Sequence, residues 1–84
     1  MALEFAPSAD RHGISREDAV YAIIHAVGRE VIGREGRRFK VAYVGHPHAQ
    51  TDRYIEIVVM EWESRYVTVF HVMDLSDSFR HLAQ

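Results

Sequence analysis

The chain contains no cysteine. Neither a disulfide nor a thiolate metal site can form, a composition that agrees with a cytoplasmic protein. It has a single lysine, Lys40, so nine of its ten cations are arginine. Arginine grips phosphate and carboxylate in a bidentate fork, whereas lysine acts as a point charge. No apolar run approaches the ~20 residues of a transmembrane helix, and residues 1–15 have no basic start leading into an apolar stretch, so neither a membrane span nor a signal peptide is expected. There is no glycine-rich phosphate loop, no nucleophile elbow and no zinc-protease helix. Hydrophobic residues make up 48% and charged residues 26% of the 84 positions, which excludes general disorder and predicts one globular domain, 1–84. A deep pocket for small-molecule turnover is not expected in so small a domain.

The first half reads as helical. Ala2 to Phe5 suits a short edge strand. Pro7 and Gly13 bracket a short helix over Ser8 to His12. Ser15 is an N-cap with Asp18 three residues on, and Ala19, Val20, Ile23, Ile24 and Val27 then form an apolar face that carries a helix to about Val27–Glu30. The second half changes period. Phe39 to Val44, Tyr54 to Trp62 and Tyr66 to Met73 are rich in β-branched and aromatic residues, with a tight turn at Glu63-Ser64. Ser76 to Leu82 suits a closing helical turn. The expected fold is therefore α+β: two N-terminal helices packed on one face of a three- to four-stranded antiparallel sheet, with a short C-terminal helical turn.

A two-residue turn fixes a register in which opposed residue numbers sum to 127. Glu56 then faces His71, and Val58, Met60, Val67 and Val69 share their face as an apolar surface suited to a partner chain. A three-residue loop breaks that register. A carboxylate beside an imidazole orients the ring for acid–base work near neutral pH; the plainer reading is a cross-strand ion pair. Arg34, Arg37, Arg38 and Lys40 against Glu35 give a net +3 over seven residues around a turn at Gly36. They suit an RNA backbone or an acidic segment, or simply a solvated strand end. His46-Pro47-His48 pairs two imidazoles, but a structural zinc site takes about four ligands and no others stand at fixed spacing, so the segment reads as a loop. His25 and His81 read as surface residues. Arg11-His12-Gly13 reads by itself as a helix C-cap.

Three stretches in order resemble one family. Arg11-His12-Gly13-Ile14-Ser15 with Glu17-Asp18-Ala19, then Val44-Gly45 with Arg53-Tyr54-Ile55-Glu56-Ile57-Val58-Val59, then Val69-Phe70-His71-Val72-Met73 are similar to motifs of BrnT-like toxins, within the RelE-like group of type II toxin–antitoxin systems. The resemblance implies a ribosome-independent endoribonuclease that needs no cofactor and is neutralised by a cognate antitoxin. It carries functional weight to Arg11, His12 and Arg53. At the end the chain departs from the family: Asp74-Leu75-Ser76 follows Met73, with no arginine before Arg80, and Asp52 stands in place of a glycine. The expected site is His71 oriented by Glu56 for proton transfer, with Arg53, Arg11 and His12 beside it and Arg37, Arg38, Lys40 and Arg80 contacting RNA. Strand parity puts Arg53 on the face opposite Glu56, in which case Arg80 or Arg11 takes its place. The alternative is an inactive toxin-like domain that binds a partner protein or a second copy. Residues 1–45 carry 7 basic and 6 acidic side chains and residues 46–84 carry 3 and 6, so cations gather locally on a weakly acidic chain.

Overall fold

The computed structural model describes residues 2–63 and 66–84. Five strands, β1 (Ala2–Phe5), β2 (Gly28–Glu35), β3 (Arg38–Gly45), β4 (Ile55–Trp62) and β5 (Tyr66–Asp74), form one sheet in the order β1-β5-β4-β3-β2. β1 runs parallel to β5 and every other pairing is antiparallel, so the sheet is mixed. One α-helix, α1 (Arg16–Ile24), and two short 3-10 segments, Pro7–Asp10 and Asp77–Ala83, complete the described elements.

This corrects the expected fold of two helices on a three- to four-stranded antiparallel sheet. The first expected helix shrinks to one 3-10 turn begun by Pro7, too short for a stable α-helix; it buries only Ala9. The second stops at Ile24, and by Val27 the chain already pairs with β3, its N–H donating to the Val44 carbonyl at 2.8 Å. The segment Gly28–Glu35, with two glycines and four charges, has little strand propensity of its own. It becomes an edge strand because β3 offers it a ladder, interrupted by a bulge at Ile32. Gly36 at φ 62° then supplies the first position of the two-residue turn into β3.

Ser15 caps α1 through its side chain, which accepts the Asp18 N–H at 3.1 Å. The helix buries Ala19 and Ala22, whereas Ile24 is 69% exposed, so its packed face is rotated from the one the apolar spacing indicates. The small alanines let the helix backbone lie close on the sheet. At Gly45 a Cβ would come within 2.6 Å of the Ala22 carbonyl oxygen. Beneath α1, Val41 of β3, Ile55, Ile57 and Val59 of β4, and Val67, Val69 and Val72 of β5 form the core.

The β4–β5 register also differs. Trp62 pairs with Tyr66, a sum of 128, and past Val59 the register shifts again so that Val58 pairs with His71 and Glu56 with Met73, a sum of 129. The turn expected at Glu63-Ser64 lies partly outside the described residues. The extra residue on β5 is Phe70, a bulge. Val67 and Val69 therefore face the core beneath α1, and Val58 is 5% exposed. The apolar partner surface expected from Val58, Met60, Val67 and Val69 does not form.

Candidate functional site

On the sheet face away from α1, alternation along β4 places Glu56, Val58, Met60 and Trp62 in a row. A three-residue connection to β5 would put His71 on the other face. The Phe70 bulge restores the parity, and the direct opposition expected for Glu56 and His71 becomes a diagonal contact. His71 Nε2 lies 2.8 Å from Glu56 Oε2. The bulge itself is pinned by Ser8, whose hydroxyl donates to the Phe70 carbonyl at 2.6 Å.

Glu56 is the one buried charged side chain among the described residues, at 2% exposure. A buried carboxylate is tolerated when its oxygens are satisfied. Here Oε1 accepts the Ser76 N–H at 2.6 Å and Oε2 takes the His71 ring N–H. The carboxylate thereby fixes the proton of neutral His71 on Nε2 and leaves Nδ1 as the lone-pair nitrogen. The His71 side chain keeps 30% of its surface exposed. It opens into a shallow cavity of about 560 Å³ that Glu56 and Val58 floor, with Arg11 and Ser8 on one wall and Ser76, Ser78 and Phe79 on another. Lys40 and Phe70 border it along the sheet. The His12 ring stands edge-on to His71, 6.0 Å between centroids.

Of the residues expected at the site, the structure therefore gathers Glu56, His71, Arg11 and Lys40 around one cavity, with His12 beside it. Arg53 is elsewhere: its guanidinium is bound to Asp74 at 2.6 Å, and its carbonyl accepts the His46 Nδ1–H at 2.8 Å. Asp74 pairs with Ile55 on the core side, as strand parity requires. Arg80 lies on the C-terminal 3-10 segment paired with Asp77 at 2.6 Å and does not line the cavity. Arg37 and Arg38 lie at the far end of the sheet, where they line a second cavity of about 410 Å³ with Trp62, Glu63 and Tyr66.

The sequence reading missed Ser8, Ser76, Ser78, Phe70 and the Trp62–Tyr66 end. A signal for Phe70 existed: the core valines of β5 are spaced 67, 69, 72, and the jump from two to three marks a bulge. Of the other histidines, His48 is exposed and three have partners. His46 stacks on Tyr54 at 4.3 Å, His25 on Tyr21 at 4.4 Å, and His81 meets Glu30 at 3.0 Å. No three metal-ligating side chains cluster among the described residues.

The other face carries a separate polar network. The Tyr43 hydroxyl donates to Glu61 at 2.6 Å and accepts from Arg29 at 3.4 Å. Burial, then the bond to Glu61, pushes the Tyr43 phenol up from its ordinary range, and its hydroxyl in turn raises Arg29. On the surface, the Arg16 guanidinium beside Asp10 holds that carboxyl below its usual range. Among the described residues no helix is long and apolar enough to cross a membrane. Comparison with protein-family models, curated proteins and solved structures gives no significant match.

Proposed function

We propose that this chain is the toxin of a type II toxin–antitoxin pair: a cytoplasmic, metal-independent endoribonuclease held in check by a cognate antitoxin. The observation that carries the reading is the Glu56–His71 pair at 2.8 Å, opening into a cavity that Arg11 and Lys40 line. RNA supplies its own nucleophile, so cleavage needs a base, an acid and positive charge at the phosphate. His71 Nδ1 takes the proton of a 2′-hydroxyl, whose oxygen attacks the adjacent phosphorus. A 2′,3′-cyclic phosphate forms as the bond to the 5′-oxygen breaks, and His12 gives its proton to that oxygen. Arg11 and Lys40 stabilise the charge on the phosphoryl oxygens, the roles expected of Arg53 or Arg80 at the sequence level. The scheme needs one ring neutral and the other protonated, so the rate passes through a maximum with pH.

Expression of the chain alone, with and without His71→Ala, tests this reading. Growth arrest and fragmented RNA are expected from the unmutated chain and not from the variant. Normal growth with intact RNA from a chain shown to accumulate folded would reject it.

A second reading, a non-catalytic protein-binding domain, is favoured by one observation. Ile24, Val27 and Val31 are 69%, 46% and 47% exposed, apolar surface that suits a partner chain. An antitoxin or a second copy of the chain would cover it in either reading. The two differ only in whether RNA is cut.

A further inference from the structure

The sheet face that carries Glu56 and His71 does not end at the cavity. At its border, Lys40 sits over the Phe70 ring at 5.5 Å from the centroid, and beyond it Arg38 lies over the Trp62 indole at 3.8 Å. Tyr66, opposite Trp62 in the register, is 58% exposed and Trp62 37%. Aromatic rings and cations thus alternate in one line, Phe70 with Lys40 and then Trp62 with Arg38 and Tyr66. They reach the second cavity, where Arg37 joins them.

We propose that this line is a stacking platform for the bases of single-stranded RNA, continuous with the Glu56–His71 cavity. The inference rests on RNA being the substrate and adds the path the strand takes. Trp62 lies four residue steps along β4 from Val58, the partner of His71. At roughly 3.3 Å per residue this is about 13 Å, the scale on which a sheet face stacks two or three bases. Charge favours a phosphate chain over a peptide. Among the described residues neither Arg38 nor Lys40 forms an ion pair, while Glu63, the acid lining the second cavity, is paired with Arg37 at 2.7 Å. Glu35, opposite Arg38 at the edge, and Glu4, opposite Thr68, flank the line rather than interrupt it. Rings and guanidinium planes carried on a sheet face reach only bases free of a duplex, so the platform selects single strands.

Trp62 is the sole tryptophan, so its emission reports on the platform directly. The test titrates the full chain with a dye-labelled 2′-O-methyl decaribonucleotide, which lacks the reacting proton, following dye anisotropy and Trp62 emission together. Stacking predicts that emission falls in step with the anisotropy rise, and that a blunt duplex of the same sequence leaves it unchanged. Trp62→Ala weakens decamer binding roughly tenfold, and Trp62→Phe largely restores it. Circular dichroism confirms that both variants fold. An anisotropy rise with unaltered emission overturns the path while RNA binding stands, and equal quenching by duplex overturns the single-strand selectivity. Absence of any anisotropy change overturns both the path and the RNA reading. A concentration-dependent shift of Trp62 emission without RNA means that a second copy covers the face, which also overturns the proposal.

Discussion

Glu56 shows how one side chain links stability to chemistry. Its two oxygens hold Ser76 and His71, so the same carboxylate ties the C-terminal segment to the sheet and sets the imidazole tautomer. Glu56→Ala strands the Ser76 N–H and should cost about 1–3 kcal/mol in denaturant unfolding. Glu56→Gln separates the two roles. Its amide oxygen still accepts from Ser76, but its NH₂ faces His71 Nε2 and moves the ring proton to Nδ1. Near-native melting with cleavage reduced about 10²-fold or more is expected; full activity would contradict the tautomer argument. Tyr43 carries the clearest pH dependence. Its phenol titrates higher in the folded chain than unfolded, so its contribution is fully present below pH about 10 and is lost as pH rises through the folded-state value. Thermal melts from pH 7 to 11 should show a steeper alkaline loss in the unmutated chain than in Tyr43→Phe. The variant itself should be about 1 kcal/mol less stable at neutral pH.

At the scale of elements, the C-terminal 3-10 segment depends on glycine. A Cβ on Gly28 would collide with the Leu82 backbone carbonyl, which has no flexible end to move aside. Gly28→Ala should therefore lift Asp77–Ala83 from the sheet at a cost of about 1–3 kcal/mol. Because Ser78 and Phe79 wall the Glu56–His71 cavity, it should also increase proteolysis near Phe79 and lower RNA cleavage together. A variant as protease-resistant as the parent would contradict that packing. Strand propensity alone marked β3, β4 and β5, since Val, Ile, Tyr and Phe are concentrated there, and Ser15 marked the start of α1. The spans of α1 and β2 were not legible because Gly28–Glu35 is held by its neighbour β3 rather than by its own composition. The Glu56–His71 contact was legible for an incomplete reason. The sequence pointed to direct opposition across a two-residue turn, whereas a longer connection and the Phe70 bulge each shift the register by one. The two shifts together keep both side chains on one face. Arg53 shows the limit of motif matching: its partner Asp74 is a long-range choice on the other face that residue order does not reveal.

For the whole molecule, a net charge of −2 argues for little long-range steering toward RNA. On the proposed reading, contact rests instead on a few local cations: Lys40 and Arg38 on the sheet face, Arg37 at the turn beside it and Arg11 at the Glu56–His71 cavity. Affinity for a single strand should then fall only moderately with salt, and removing either Arg38 or Lys40 should flatten that dependence by about one unit of slope. The central claim is that this face cuts RNA with its own side chains. The most direct measurement incubates the purified chain, with chelator present, with a single-stranded RNA and with copies carrying one 2′-deoxy position each. The account predicts fragments ending in 2′,3′-cyclic phosphate, no cut where the 2′-hydroxyl is missing, and no cutting by His71→Ala. Intact RNA after incubation with the folded, unmutated chain, or fragments that persist undiminished with His71→Ala, would contradict it.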